Sequence, residues 1–430
     1  MTVIGEPDFI VDVHQNGYLP EGAREVSAVV TVTSSMDLAQ TADAGENGAA
    51  EIIIVDCSGS MGYSGKMKAA RGATAAAVDA IRDGTAFAVI AGRDKARVVF
   101  PRFGGLAAAN WRTRTVAKMA VARLHADGGT RIGTWLGLAR ELFTSHPAGR
   151  RHAVLLTDGQ GSDQLDDVLS LCAGVFTCDC RGVGTDWWVG QLRKISTALL
   201  GTVDIVADPG ELAADFTAMM RSSMSKRVPD VTLRVRTPAS AEIRFVKQVA
   251  PAIEDLTGRR AAAGEQAGDY PTGAWGPGEG RDYHLCVRVS PGAVGQEMLV
   301  ARISLVTGSP SGPQARGTGL VKAIWTADEA LSAPINPQVA HYTGQAELAQ
   351  AIQEGLRARK EGDEETATTR LGRAVALAAE SGNEDTASLL AKVVEVVDAT
   401  TGVVCLRKNV TDADEMTLDT RSTRTVRTRK

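Results

Sequence analysis

Between residue 51 and about residue 225 the sequence alternates short apolar runs with stretches of helical spacing, and that alternation limits the folds open to it. The runs are EIIIVD (51–56), TAFAVIAG (85–92), ARVVF (96–100), HAVLLTDG (152–159), FTCDCRGVG (176–184) and VDIVAD (203–208). IIIV and AVLL are apolar at consecutive positions, which suits strands covered on both faces. Helical patterns fill the intervals at 66–81, 113–124, 130–143, 164–172, 188–199 and 211–226. The expected fold class is α/β, a doubly wound, Rossmann-like sheet flanked by helices.

The flanks read differently. Period-two runs occur at VTLRVRT (231–237), AEIRFVKQV (241–249), DYHLCVRVS (282–290), EMLVARISLV (297–306) and LVKAIWT (320–326). Pro and Gly punctuate them, and residues 227–330 are expected to form a β-sandwich. FIVDV (9–13) and VSAVVTVTS (26–34) have no partners of their own within residues 1–50, so they are expected to complete that sandwich. MDLAQTADAGENGAA (36–50) reads as a polar linker. The α/β domain, residues 51–226, would then be inserted into a β-domain. Residues 337–398 form a helical unit of three segments (345–360, 363–381, 384–398), broken at EGD and SGN. From 399, and above all from 409, the chain is polar, and a disordered tail is expected over 399–430.

Composition narrows the function classes. A net charge of −4 in 430 residues argues against a protein that binds nucleic acid with its whole surface. No apolar run approaches the roughly 20 residues of a membrane helix. The start, MTVIGEPDFIVDV, lacks the basic head and apolar core of a signal peptide. Six cysteines in a chain of this length do not make a disulfide framework. Reduced thiols and a cytoplasmic location are expected, which disfavours a surface adhesin. The Ala-, Gly- and Arg-rich composition suits a GC-rich bacterium.

The chemistry concentrates where the first buried run ends, in VDCSGSMG (55–62). In doubly wound sheets, ligands sit beyond the carboxyl ends of the strands. Asp56 ends one strand and Asp158 ends another, in LLTD. Thr130 opens a helix after the Gly-rich turn DGGT. Asp56, Ser58, Ser60, Thr130 and Asp158 can therefore converge on one edge of the sheet. Two carboxylates and three hydroxyls make a hard, oxygen-only site that suits Mg²⁺, with Mn²⁺ or Ca²⁺ as alternatives. Neutral hydroxyl ligands leave the ion electrophilic, able to accept a carboxylate from outside. The plainer reading, that the serines only cap a helix, would serve for one segment but not for three.

DCSGS, the Thr of GGTRIGTWL and the Asp of LLTDG resemble the metal-ion-dependent adhesion site of von Willebrand factor type A domains. The resemblance covers residues 51–225, with three separated motifs in the family's order. It implies that Ser58 and Ser60 coordinate the metal directly, and that Asp56, Thr130 and Asp158 do so directly or through water. It also implies a protein partner presenting an exposed Asp or Glu, and a non-enzymatic adaptor role. Insertion into a β-domain is similar to the hybrid-domain arrangement of some members. Trp135, bulkier than the pattern leads one to expect, either shapes the rim or packs inside.

Other readings compete. A co-chaperone subunit of a MoxR-type AAA ATPase is one alternative, and a Mg²⁺-dependent hydrolase is another. The hydrolase lacks a second carboxylate two residues after Asp56, and no His or Lys is evidently placed as a base. His125 and His152 read as structural or surface residues. GYSGKMK (62–68) fails as a phosphate loop, because Met67 follows the lysine where Ser or Thr is required. Cys172, Cys178 and Cys180 lack the paired spacing of a zinc site. Trp187 and Trp188 could present a partner surface or pack in the core. In the tail, Thr417, Thr420, Thr423, Thr425 and Thr428 are interleaved with arginines, a pattern open to a Ser/Thr kinase and a forkhead-associated reader. A solvated terminus is the equal alternative. Contact of the basic end, RTVRTRK, with nucleic acid or acidic lipid is a third.

Overall fold

The computed structural model describes residues 8–35, 48–146, 149–159, 161, 164–308 and 312–427. Residues 36–47 of the expected linker lie outside the described residues, and the chain enters a strand at Ala49. Two compact units emerge: residues 42–226, and the segments 1–41 and 227–430 on either side of them in the sequence.

The first unit is the doubly wound sheet. Its strands lie in the order Val203–Val206, Thr177–Val183, Arg150–Thr157, Ala49–Asp56, Ala86–Gly92 and Arg97–Phe100. Neighbours are parallel except the last pair. Ile52 to Val55, on a central strand, are fully buried, as the unbroken apolar run requires. Ile53 and Val55 share a core with Ala70, Ala73 and Ala77 of helix Lys66–Ala80 and with Phe216 and Met220 of helix Leu212–Ser225. Trp135 packs inside, not at a rim. A Cβ on Gly92 would fall 2.4 Å from its ring, and its Nε1 donates to the Arg93 carbonyl at 2.6 Å. Trp187 is likewise buried, against Gly182, while Trp188 is 58% exposed. The six thiols form no disulfide, and Cys57, Cys172, Cys178 and Cys180 are buried.

At the amino ends of the strands lies a buried ionic cluster, which gives His152 the structural role among its two expected readings and not a surface position. His152 Nδ1 meets Glu51 Oε2 at 2.6 Å and its Nε2 meets Asp179 Oδ2 at 3.1 Å. Arg150 Nη1 donates to Glu51 Oε1 at 2.7 Å and to Ser223 Oγ at 2.6 Å. Burial alone would discharge the imidazole, but the Glu51 and Asp179 carboxylates outweigh it and lift His152 to about 9. Burial likewise works against ionisation of Glu51, yet His152 and Arg150 hold that carboxyl below its usual range.

The second unit contains two sheets. One runs Phe9–Gln15, Glu25–Ser34, Gly280–Val289, Ala241–Ala250, Glu254–Asp255. The other runs Ala261–Ala262, Ala267–Trp275, Val228–Arg236, Glu297–Thr307, Gln314–Thr326, Tyr18–Pro20. The amino-terminal strands complete the first sheet, with Glu25–Ser34 pairing antiparallel to Gly280–Val289. The sheets pack face to face: Phe9 meets Trp275 edge-on at 5.4 Å, and Gly317 and Gly319 leave room for Val11 and Val13.

Two expectations fail here. The third helical segment ends at Val393, because the β-branched run after it, Val394–Asp398, pairs as a strand with Val403–Leu406. The tail is ordered instead of disordered. Helix Asp412–Arg421, capped by Thr411, buries Met416 and Leu418, and Leu418 joins the core of helices Pro337–Glu361, Glu364–Glu380 and Glu384–Val393. Beyond it, Ile253 N–H donates to the Thr423 carbonyl at 2.8 Å, and the Thr425 hydroxyl donates to the Val249 carbonyl at 2.5 Å. Arg427 then forks onto Asp282, at 2.7 and 2.9 Å. Asp282 is 3% exposed and also accepts from the Tyr342 hydroxyl. The threonines read as phosphorylation sites are therefore engaged in structure. Thr420 is buried, and the Thr417 hydroxyl donates to Ala413. Thr428 lies outside the described residues.

His152 has a folded pKa of about 9, above its unfolded value of roughly 6.5, so its stabilisation is complete below pH 6.5 and is lost as pH rises through 9. Denaturant unfolding of the wild type should lose a few kcal/mol across that window, at about 1.4 kcal/mol per pKa unit. His152→Gln should flatten the slope, and parallel wild-type and variant curves would refute it. Deleting residues 409–430 should lower the melting temperature by several degrees. Arg427→Ala alone should cost roughly 2 kcal/mol, less than a fully buried pair because Arg427 is partly exposed.

Candidate functional site

The corner is assembled by the ends of two neighbouring parallel strands and the turns that follow them. Strand Ala49–Asp56 delivers Asp56 fully buried. The chain then turns, and the Ser58 N–H donates back to Asp56 Oδ1 at 2.7 Å. The turn at Gly59–Gly62 carries no side-chain cap from Ser58, and helix Lys66–Ala80 starts behind Gly65 in a left-handed conformation. The serines thus do not cap. Their hydroxyls lie 3.0 Å from one another, and the Ser60 hydroxyl donates to Asp158 Oδ1 at 2.7 Å.

Strand Arg150–Thr157 supplies the second carboxylate, Asp158, also fully buried. Before it, Thr157 donates its hydroxyl to Asp56 Oδ2 at 2.5 Å. After it stands Gly159, where a Cβ would lie 2.9 Å from Thr130 Oγ1 and 3.6 Å from Asp56 Oδ2. Any side chain there would fill the corner. The loop bearing Thr130 is stitched down on both sides. Asp127 N–H donates to the Cys57 carbonyl at 2.8 Å, Gly59 N–H to the Gly128 carbonyl at 2.9 Å, and Gly129 N–H to Asp94 Oδ2 at 2.8 Å. The structure brings all five residues singled out in the sequence, Asp56, Ser58, Ser60, Thr130 and Asp158, to this corner.

Lys66 was missed, and its position corrects the expectation that no lysine stands near the corner. Its Nζ lies 2.7 Å from Asp158 Oδ2 and 2.7 Å from Asp186 Oδ2, with only 7% of the residue exposed. Burial works against its charge, but the bonds to Asp158 and Asp186 prevail and hold its pKa above the usual range. One sequence signal was available: a lysine in the first turn of a helix opposes the helix dipole and calls for a compensating anion.

The two carboxylates are therefore unequal. Asp158 is neutralised by Lys66. Asp56 accepts hydrogen bonds from neutral groups, and burial, assisted by the Asp158 charge, pushes its carboxyl up to about 6 against the pull of Thr157 and Ser58. An excess of buried negative charge beside three hydroxyl oxygens is what a hard divalent cation would satisfy. The donor set fits such an ion.

Two family models match the chain: von Willebrand factor type A domain over residues 52–160, and von Willebrand factor type A C-terminal domain over residues 376–422. A solved structure described as von Willebrand factor type A from Catenulispora acidiphila is 49% identical. The match covers 100% of this chain and 99% of that one, with a TM-score of 0.93. The chain belongs to the von Willebrand factor type A family. The ArnB paralog VWA2 from Sulfolobus acidocaldarius shares the fold at 14% identity and TM-score 0.60, covering 98% of each chain. The human COPII-coat protein Sec24c shares it at 9% identity and TM-score 0.54, over 92% of this chain and 60% of that one. No curated protein matches. The second family model spans the helix, strand pair and terminal helix that order the carboxyl end of this type A protein. Among the described residues no helix is long and apolar enough to cross a membrane.

Replacing Lys66 by Met would leave buried Asp158 without its cation. The variant should melt several degrees lower in EDTA, and Mg²⁺ should raise its melting temperature more than it raises that of the wild type, because a repelling charge is gone. Equal Mg²⁺-induced rises would contradict this picture of the corner's electrostatics.

Proposed function

We propose that the type A domain is a non-enzymatic, metal-dependent adhesion module. Asp56, Ser58, Ser60, Thr130 and Asp158 would hold Mg²⁺, or Mn²⁺ or Ca²⁺ in its place, and an exposed Asp or Glu of a protein partner would complete the shell. The bound ion supplies a positive centre for that carboxylate. The reading rests above all on one observation: the hydroxyls of Ser58 and Ser60 turn toward each other, and that of Ser60 toward Asp158, instead of capping a helix.

The surrounding residues have consistent roles in this reading. Asp56 provides the unneutralised negative charge that attracts the cation. The hydroxyls bind without adding charge. Lys66 offsets Asp158, so less than two full negative charges oppose the ion and more of its field reaches the partner's carboxylate. Lys66 is also a poor candidate for a hydrolytic base, since it is locked in two ion pairs. His152 lies at the opposite end of its strand, between Glu51 and Asp179. Both points favour binding over turnover. Type A domains generally mediate metal-dependent protein–protein interaction, and membership of the family supports the same conclusion. Of the tail threonines, Thr420 is buried and the Thr417 and Thr425 hydroxyls donate to backbone carbonyls, which makes these three poor substrates for a kinase in the folded protein.

Calorimetric titration of Mg²⁺ tests the reading. The wild type should show one binding event, and Asp56→Asn and Ser60→Ala should each weaken it by about tenfold or more. Superimposable isotherms for all three proteins would remove the metal from this corner.

A further inference from the structure

On the edge of the α/β unit lies a surface that the adhesion corner does not use. From Lys95 to Arg123 the sequence carries seven Lys and Arg residues and no Asp or Glu, in a chain whose net charge is −4. The segment runs through strand Arg97–Phe100, the last in the sheet order, then a loop, the short strand Ala107–Ala108, and helix Trp111–Val121. The helix buries Ala117 and Val121 against the core, and its other side is turned to solvent.

That outer side is apolar as well as basic. Trp111 is 70% exposed, Met119 57% and Val116 55%, and Phe103, in the loop before the helix, is 96% exposed. Gly104 and Gly105, both with positive φ, follow Phe103 and turn the loop back. The Arg112 guanidinium lies 5.1 Å from the Trp111 ring centre, and that of Arg102 lies 5.8 Å from the Phe103 ring centre. Arg114 and Lys118 are occupied by Asp83 and Asp79, whereas Lys95, Arg97, Arg102, Arg112 and Arg123 have no acidic partner among the described residues.

We propose that this face is a docking surface for an anionic phospholipid membrane, with Phe103, Trp111, Val116 and Met119 entering the headgroup–acyl boundary and the unpaired arginines meeting lipid phosphates. Charge and shape favour this occupant. A lipid surface demands only the right sign of charge and a depth of apolar contact, and a run of unbroken positive charge with interspersed large apolar side chains meets both. Aromatic rings with guanidinium groups beside them suit the level where hydrocarbon gives way to phosphate. Single-stranded nucleic acid, also a polyanion, stacks its bases on open ring faces. Here arginines lie over Phe103 and Trp111, and Val116 and Met119 offer no ring. A protein partner is met by complementary charges of both signs across its interface, and residues 95–123 carry no carboxylate of their own.

The test is co-sedimentation of the full chain with extruded vesicles of phosphatidylcholine, with and without phosphatidylglycerol. EDTA is present throughout, so that no divalent ion bridges phosphate to the adhesion corner. Two double variants are compared, Phe103→Ser with Trp111→Ser, and Arg102→Gln with Arg112→Gln. All four positions are exposed, so the variants should fold, which unchanged circular dichroism would verify. The wild type should bind the phosphatidylglycerol vesicles and be released by salt, and each double variant should bind about tenfold more weakly. Failure to bind vesicles would overturn the proposal, as would equal binding of wild type and variants, or equal binding to neutral vesicles. Displacement of the vesicles by single-stranded DNA that itself binds these arginines would reassign the face to nucleic acid.

Discussion

Burial of the Asp56 carboxylate at the end of a central strand is the constraint on which the rest of the corner depends. The apolar run Ile52–Val55 carries the chain through the middle of the sheet, so the acid that ends it emerges without solvent. An isolated carboxylate in such a place costs several kcal/mol unless it is hydrogen-bonded and matched by a cation. The fold supplies the hydrogen bonds, from Thr157 on the neighbouring strand and from the Ser58 N–H of the turn. It keeps position 159 free of a side chain, and it pins the Thr130 loop through Cys57, Gly59 and Asp94. What it leaves unmatched is the charge.

The same strand begins with the opposite solution. Glu51 is as buried as Asp56, yet Arg150 and His152 close around it, and Asp179 balances the second ring nitrogen of His152. One end of the sheet is thus internally neutralised and closed. At the other end Lys66 neutralises only Asp158. In doubly wound sheets the carboxyl ends of the strands are where ligands sit, and the unmatched charge lies at that end.

The α/β unit was legible because its strands are apolar at nearly every position and its site residues follow strand ends directly, so strand order alone gathers them. What escaped were partners distant in sequence. Lys66 reaches Asp158 across 92 positions and His152 meets Glu51 across 101, and neither residue type advertises its partner. The tail misled for a related reason. Its low apolar content suggested disorder, but two buried side chains, Met416 and Leu418, and the Arg427–Asp282 fork hold it in place. Thr417 and Thr425, which resembled modification sites, donate their hydroxyls to backbone carbonyls, and Thr420 is buried. The run Val394–Asp398 falls within the expected third helical segment, although its β-branched residues favour the strand it forms.

The most direct measurement is crystallographic: anomalous diffraction from crystals of the full chain grown with Mn²⁺ in place of Mg²⁺. The account predicts a single strong anomalous peak bounded by the hydroxyls of Ser58 and Ser60 and the near oxygen of Asp158, with Asp56 and Thr130 in its direct or water-bridged shell. A corner without a peak at saturating Mn²⁺, or a peak only elsewhere on the molecule, would contradict it.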